Sequence, residues 1–582
     1  MGCGTSSVTD TRSEQVLKAA LVIQNWYRGY STRLKARQRY ALTIFQSIEY
    51  ADEQGQLQLS NFFSFMLENY AHIHEKDPEI VARLFGSTLQ DYKDRQDYVA
   101  FVDVPNSYNG PRLQFPLTFT DIDLLVDAFK QQQILHARYV LEVLFETKKV
   151  LKQMPNFTHV KTSPSKEITI CGDLHGKLDD LLLIFYKNGL PSGSNSYIFN
   201  GDFVDRGRNS IEILMILFVS FLVYPNDLHL NRGNHEDFMM NLRYGFTKEI
   251  LCKYKILEDV YTWLPIGTII DNEILVIHGG ISESTDLNLL HRVERHKMKS
   301  VLMPPTPLDG DPDTSVKKKK FNATIVPQEV KTSASHSEQL TKHEWEQVIT
   351  IFSASNYYEE GSNRGAYIKL SSGMAPRFFQ YQVTRATCLR PLYQRVNAIE
   401  SSAIRILRER IIARKTDLIH AFQLQDRSKS GKLSMSQWAF SMENTLGLNL
   451  PWRSLSSRLV TTDTNGDINY MSSFQDIHIQ KPVKEAQSTL IETLYRYRSD
   501  LQIIFNVIDS DHSGLISVEE FRSMWKLFNS HYNIHIDDFQ IDELAERMDL
   551  NKDGSIDFNE FLKAFHVVHK LDKLNKSGSG LL

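Results

Sequence analysis

Four short blocks carry residues able to hold metal ions and move protons: Gly172-Asp173-Leu174-His175-Gly176, Gly201-Asp202-Phe203-Val204-Asp205-Arg206-Gly207, Gly233-Asn234-His235-Glu236 and His278-Gly279-Gly280. Carboxylate, imidazole and carboxamide groups in this mixture suit divalent cations, and a pair of cations needs one carboxylate to bridge them. Two such ions about 3.5–4 Å apart make a water nucleophilic near neutral pH and clamp the charge on attacking and leaving oxygens. Glycines let the chain turn sharply beside the ligands. The pattern predicts metal-assisted hydrolysis of a phosphate ester.

The elements that must position these groups are short apolar runs just before each block, Ile168 to Cys171, Tyr197 to Asn200, Leu228 to Asn231 and Ile274 to Ile277. Each reads as a buried strand. Ligands at strand ends put the pocket at the rim of a sheet. A single block is as well explained by a strand-end turn or a satisfied core histidine; four in series are not. Upstream, Asp121 to Lys152 reads as one or two long helices, with Leu124, Leu125, Phe129, Leu135, Val140 and Leu144 available for packing.

With the further string Ser353-Ala354-Ser355-Asn356-Tyr357, the blocks resemble those of the metal-dependent serine/threonine protein phosphatases, the phosphoprotein phosphatase family, over residues 111–393. That resemblance implies a metallophosphoesterase-like αββα sandwich. It also implies that Asp173 and His175 hold one metal, that Asp202 bridges, and that Asn234 and His278 hold the other, the ions being manganese or else magnesium, iron or zinc. His235 would be the general acid for the leaving alkoxide, oriented by Asp205, with Arg206 and Tyr357 near the phosphate and its bound water. An imidazole donates a proton well when a carboxylate fixes its tautomer, and a guanidinium grips phosphate bidentately.

One part of the family pattern is missing. Between the His-Gly-Gly and Ser-Ala-Ser-Asn-Tyr strings the family carries a Trp-Ser-Asp-Pro stretch, a phosphate-gripping Arg, and an Arg-x-His whose His completes the second metal site. None of these occurs between Ile281 and Phe352. A polar tract stands there instead, Pro304 to Gln339 with the run Lys317 to Lys320, which reads as unstructured. Gln347 then runs directly into strand-like Val348 to Phe352. His291, His296, His336 and His343 follow no buried strand and are poor replacements for the missing ligand. The sandwich is therefore expected to be truncated. A calcium-regulated phosphatase acting on phosphoserine and phosphothreonine is the leading reading, and a catalytically impaired, phosphatase-like scaffold binding calcium and calmodulin is the alternative.

The ends of the chain add control elements. Met1-Gly2-Cys3-Gly4-Thr5-Ser6 fits N-myristoylation at Gly2, with Cys3 placed to take a second acyl chain. Ile23-Gln24-Asn25-Trp26-Tyr27-Arg28-Gly29-Tyr30-Ser31-Thr32-Arg33 matches the IQ motif IQxxxRGxxxR at Ile23, Gln24, Arg28, Gly29 and Arg33. Its apolar residues recur at helical spacing among basic ones, a form suited to calmodulin's groove. A helix docked on the chain's own core is the bland alternative.

Toward the C-terminus, Asp509, Asp511, Ser513 and Glu520 belong to one complete twelve-residue EF-hand loop, and Asp549, Asn551, Asp553, Ser555 and Glu560 to a second. Oxygen ligands at alternate positions, Gly at six and a terminal Glu meet the calcium pattern. Asp426 to Gln437 and Thr461 to Ser472 are weaker copies that lack the final Glu. Two calcium-binding hands and a silent pair are expected. The order of acylation signal, IQ motif, phosphatase blocks and EF-hands resembles the EF-hand-containing phosphatases of the retinal degeneration C type.

Composition agrees with a multidomain α/β plus all-α chain. The 582 residues exceed one core. The expected divisions are a flexible start at 1–15, the IQ helix at 16–45, a helical region of unknown role at 46–110, the catalytic domain at 111–393 with an insert about 303–340, a degenerate EF-hand pair at 400–480 and a calcium-binding pair at 485–570. A net charge of -4 argues against nucleic acid as a partner. No apolar run approaches the ~20 residues that span a bilayer. The four cysteines, Cys3, Cys171, Cys252 and Cys388, are too few and scattered for a disulfide framework. The expected location is the cytoplasm, peripheral on membranes through the acyl chains.

Overall fold

The computed structural model describes residues 7–54, 102–254, 260–279, 285–298, 348–383 and 392–475, together with 477–479, 492, 495–497, 515–517, 521–522, 539, 542, 545, 555–557 and 567–569. Gly2, Cys3, the insert about 303–340, and every expected calcium ligand except Ser555 lie outside the described residues.

The first element is one long helix, α1 (Ser7–Gln54). It contains no proline and a single glycine, so nothing stops it at the expected divisions after 15 and 45. The IQ residues lie on its exposed half. From Leu34 onward one face is buried, through Leu34, Ala41, Ile44, Phe45 and Ile48, which recur at the spacing of a helix stripe.

The region read as one or two helices is two, α2 (Phe119–Lys130) and α3 (Ala137–Leu151). The α/β core follows as β1 (Phe157–Val160), β2 (Glu167–Cys171), α4 (Leu178–Asn188), β3 (Asn195–Phe199), α5 (Ser210–Val223), β4 (Leu228–Leu230), α6 (Phe238–Tyr244), α7 (Phe246–Lys253), β5 (Gly267–Ile270), β6 (Ile274–Ile277), α8 (Leu287–Arg292), β7 (Gly365–Leu370) and β8 (Arg377–Tyr381). One sheet has the order β4-β3-β2-β7-β8 and the other β1-β5-β6. In the larger sheet β2, β3 and β4 run parallel, and β7 joins β2 antiparallel with Ile170 opposite Ile368.

The two sheets share a core of Val160, Ile168, Ile170, Ile198, Ile270, Val276, Ile368 and Leu370. The larger sheet's opposite face packs Cys171, Tyr197 and Phe199 against α2, α3 and α5. α5 is apolar nearly all round and buried from Ile211 to Phe221, as a helix inside a layered core should be. Each large side chain buried this way contributes roughly 1.5–3 kcal/mol. Beside the small sheet, only α8 and a short turn, Arg295–Lys297, are found among the described residues. Arg295 ties that turn down, donating to Asn156 Oδ1 and to the Leu151 and Met154 carbonyls.

Val348 to Phe352 is not the strand expected. The place beside β2 belongs to β7, and the run crosses the end of β2 instead, with one bridge from Phe352 to Asp173 and a hydrogen bond from the Gly172 N–H to Ser353 Oγ at 2.9 Å.

The C-terminal region begins with α9 (Leu392–Ile412), α10 (Lys415–Gln425), β9 (Lys432–Leu433), α11 (Met435–Leu446), α12 (Trp452–Leu459), β10 (Thr461–Thr462), β11 (Ile468–Asn469) and β12 (Ile477–Ile479). β9 pairs with β11, setting Leu433 opposite Ile468, position eight of each weak loop. β13 (Leu515–Ser517) and β14 (Ser555–Asp557) pair in the same way, with Ile516 opposite Ile556 and Ser555 opposite Ser517. β15 (Val567–His569) returns to pair with β12. In the weak loops the carboxylates are taken by the chain itself. Asp426 accepts from the N–H groups of Ser430 and Gly431 at 3.0 and 2.7 Å, and Lys432 Nζ donates to Asp463 at 2.9 Å.

Candidate metal centre

The blocks converge at the strand ends. Asp173 and His175 follow β2, Asp202, Asp205 and Arg206 follow β3, Asn234 and His235 follow β4, His278 follows β6, and Tyr357 lies in the loop before β7. Their backbone is contorted: His175, Asp202, Asp205, Arg206 and Asn356 all have positive φ, between 44° and 70°. Such non-glycine conformations are held only where the surroundings enforce them. Gly233 is needed for a close approach, since a Cβ there would fall 2.3 Å from Asp202 Oδ1.

Two ligand groups share one carboxylate. Asp202 belongs both to a set with His175 and His235 and to a set with Asp173 and His278. His175 Nε2 lies 3.7 Å from Asp202 Oδ2 and 3.9 Å from Asp173 Oδ2. His278 Nε2 lies 3.4 Å from Asp202 Oδ2, and the Asn234 amide meets His278 Nε2 at 2.9 Å and Asp202 Oδ2 at 3.0 Å.

The remaining ring nitrogens are occupied. His175 Nδ1 bonds the Val204 carbonyl at 3.1 Å and His278 Nδ1 the Asn200 carbonyl at 2.7 Å. A carbonyl on Nδ1 fixes the tautomer that presents Nε2 as a lone-pair donor, the usual support of a metal-bound histidine.

The electrostatics fit cations. Burial, then the Asp202 charge, pushes Asp173 up to about 7. Burial disfavours charge on His278, yet the hydrogen bond and charge of Asp202 and the charge of Asp173 raise it to about 10. Burial pushes His175 down to about 3, leaving it neutral and ready to ligate. Clustered carboxylates thus draw positive charge from their neighbours, the work a divalent ion does in such a site. Asp173, His175 and Asp202 suit one ion and Asp202, Asn234 and His278 a second.

His235 stands beside this centre, its ring 4.8 Å from that of His175. Its Nδ1 meets Asp205 Oδ2 at 2.8 Å. Although burial opposes a charge on it, this bond and the nearby aspartates raise the His235 pKa. Arg206 stacks 4.2 Å over Tyr244 and 5.6 Å from Tyr357.

Several supporting residues carry no signal that the motif reading used. Asn241 and Asp180 are buried acceptors or donors behind the blocks. Asn241 donates to Asp205 Oδ2 at 2.9 Å and to the His235 carbonyl at 2.7 Å. Asp180 accepts from Ser355 Oγ and N–H at 2.6 and 2.8 Å, fixing the loop that carries Tyr357. Glu49, from α1, reaches Arg206 and Tyr357 at 2.8 and 2.9 Å. Only spatial neighbourhood reveals these.

Other expected residues lie elsewhere. Ile23, Gln24, Arg28, Gly29 and Arg33 are on α1, with Ile23, Trp26 and Tyr27 more than 60% exposed. His291 stacks on Phe157 and His296 on Trp263, so neither completes the second metal set, and His336 and His343 lie outside the described residues.

Residues 166–333 match the calcineurin-like phosphoesterase family and 498–566 the EF-hand domain pair. Residues 87–159 also match the PPP5 TPR repeat region. Across the whole chain, serine/threonine-protein phosphatase with EF-hands 1 of Homo sapiens is 68% identical over 647 aligned positions, covering 99% of each chain. The chain belongs to the EF-hand serine/threonine protein phosphatases. The EF-hands 2 protein of Homo sapiens is 40% identical over 98% of this phosphatase and 96% of that relative. The rdgC phosphatase of Drosophila melanogaster is 37% identical over 97% and 92%. The human alignment runs over 647 positions against 582 residues here, so at least 65 of them have no counterpart in this chain.

This is a metal-dependent protein serine/threonine phosphatase with calcium regulation through its EF-hands, acting on phosphoproteins.

Proposed function

We propose that this phosphatase hydrolyses phosphoserine and phosphothreonine by direct transfer to water, with no phosphoenzyme. The observation that carries the proposal is Asp202 shared between two ligand sets, in which His175 and His278 have Nδ1 tied to backbone carbonyls. When bound, a metal pair supplies a water nucleophilic near neutral pH and neutralises charge on the phosphoryl group. Manganese is our assignment for the pair, and calcium for the two complete EF-hands.

Asp173, His175, Asp202, Asn234 and His278 would hold the ions. His235 donates a proton from Nε2 to the departing serine or threonine oxygen, while Asp205 on Nδ1 keeps that tautomer and favours the charged ring. Arg206 grips phosphoryl oxygens in a bidentate manner, and Tyr357 donates its hydroxyl beside it.

Calmodulin is the proposed partner of the exposed Ile23 to Arg33 face, and acylation at Gly2 and Cys3 the proposed route to cytoplasmic membrane surfaces. Replacing Ile23 and Gln24 with alanine should abolish retention on calmodulin resin, and Gly2→Ala should release the protein from membranes.

The deciding experiment measures metal stoichiometry and phosphopeptide turnover for this chain beside a version carrying a family-type segment after Gln347. Two ions and turnover in both support the full reaction. Turnover only after insertion would overturn the proposal and establish the impaired scaffold, the alternative raised by the missing histidine.

A further inference from the structure

The two ligand sets differ in what must hold them together. Asp173, His175 and Asp202 follow β2 and β3, which are neighbours in the larger sheet. Asp202, Asn234 and His278 follow β3, β4 and β6, so the second set straddles both sheets. Its geometry therefore depends on how one sheet is seated on the other. The apolar core between them, which includes Ile198, Ile270 and Val276, draws the sheets together. Apolar contact is non-directional, whereas a hydrogen bond fixes direction as well as distance.

A buried polar chain supplies that direction. The hydroxyls of Thr158 in β1 and Thr268 in β5 meet at 2.9 Å. Thr268 Oγ1 donates to Asn231 Oδ1 at 2.8 Å, Asn231 Nδ2 donates to Asn200 Oδ1 at 2.8 Å, and Asn200 Nδ2 donates to the Ile277 carbonyl at 3.0 Å. Asn231 Nδ2 also donates to the Val276 carbonyl at 3.2 Å. Both amides can face only one way, since each carbonyl of β6 needs an N–H, and Thr268, whose proton goes to Asn231, accepts from Thr158. Asn231 and Thr268 are fully buried. A chain of this kind strengthens its own links in a low dielectric, and breaking one strands buried polar groups. It ends beside the ligands: Asn200 directly follows β3, two residues before Asp202, and Ile277 immediately precedes His278. The Asn200 carbonyl also meets His278 Nδ1 at 2.7 Å, so one residue grips both the ring and the backbone that carries it.

We infer that Asn200, Asn231 and Thr268 are positioning residues for the second ion: they tie β6 to the ends of β3 and β4 and so hold His278 in place against Asp202 and Asn234. This rests on the reading of two ligand sets that share Asp202. Beside the shared carboxylate the first set has a second one, Asp173, while the second set has only a carboxamide and an imidazole. Attraction between a cation and a carboxylate survives a small displacement, but a neutral donor binds only within bonding distance. The second ion is therefore the weaker of the two, and its affinity depends on how the small sheet is seated. The first ion, held from β2 and β3, does not share that dependence.

The test titrates manganese calorimetrically into the metal-free full chain, with the electron paramagnetic resonance signal of a coupled manganese pair as a second readout. The parent chain should take up two ions in separate steps. Asn231→Leu removes the carboxamide at similar volume, Thr268→Val removes only the hydroxyl, and Thr268→Ser retains it. Asn231→Leu should weaken the weaker step about 10–100-fold and Thr268→Val severalfold, with the tighter step unchanged within about twofold, as expected when support behind one ligand is lost. Thr268→Ser should resemble the parent. In the two weakened variants the coupled-pair signal should need correspondingly more manganese to appear. If Asn231→Leu fails to fold, Thr268→Val decides alone. Equal weakening of both steps in Thr268→Val, or a weaker step that neither variant changes, would overturn the inference and leave the two ligand sets standing. Uptake of a single ion by the parent chain overturns the inference together with the reading beneath it.

Discussion

Glu236 and Asp202 are adjacent buried carboxylates, and the Asp202 backbone N–H donates to Glu236 Oε2 at 2.7 Å. The same side chain accepts from the Gly233 and Phe203 N–H groups at 2.8 and 2.9 Å. Glu236 thus clasps two ligand loops to each other. Glu236→Gln would turn one acceptor oxygen into a donor facing an N–H. Manganese affinity, read by equilibrium dialysis, should fall by about 10–100-fold, as it does when support behind a ligand is lost.

Asn241 plays a similar part for proton transfer, holding Asp205 and the His235 carbonyl together. Asn241→Ala leaves every metal ligand in place. Turnover of a phosphopeptide should drop about tenfold to a hundredfold, a fraction of the ~10²–10⁴ that a positioned acid supplies. KM and metal stoichiometry should stay near those of the parent. A changed stoichiometry with unchanged kcat would refute this role.

Asp180 makes stability depend on pH. Burial is the main cause that pushes its carboxyl up to about 6, despite the bonds from Ser355. Because the folded chain holds this proton more tightly than the unfolded one, stability falls as pH rises from about 4 to 6, and the full penalty remains above that window. The shift corresponds to about 3 kcal/mol. Asp180→Asn should flatten that part of the profile, seen as a smaller difference between thermal midpoints at pH 4.5 and pH 7.5. An unchanged slope would place the titrating group elsewhere.

Calorimetry with calcium should find two sites. Glu520→Gln and Glu560→Gln should each remove one, since the final bidentate carboxylate supplies much of the affinity. The weak loops should stay silent, with Asp426 bonded to its own backbone and Asp463 paired with Lys432. A third site would contradict this assignment.

The catalytic strands were legible because each is a short apolar run ending in glycine and ligands; Ile274 to Ile277 coincides with β6. β1, β5, β7 and β8 carry no such mark, since none ends at a chemical motif, and within Arg377–Tyr381 only Tyr381 is buried. Val348 to Phe352 shows the limit of local pattern: β-branched residues favour extension, yet β7 pairs with β2 instead. Ligand identities follow from residue type and order. Asp180, Asn241 and Glu49 do not, because their partners lie in other parts of the chain and a hydrogen bond between distant segments leaves no spacing to read.

α9 has a consequence for how signals cross the molecule. One side of it packs against α1, and it also touches β12, the strand that pairs with β15 beyond the second EF-hand loop. Glu49 therefore sits on a helix seated against α9, which is itself in contact with the strand pairing that lies beyond the second EF-hand loop. The same buried cluster thus joins three parts that are far apart in sequence, the helix of Glu49, α9 and the strand paired with β15, so none of them can shift without repacking the other two.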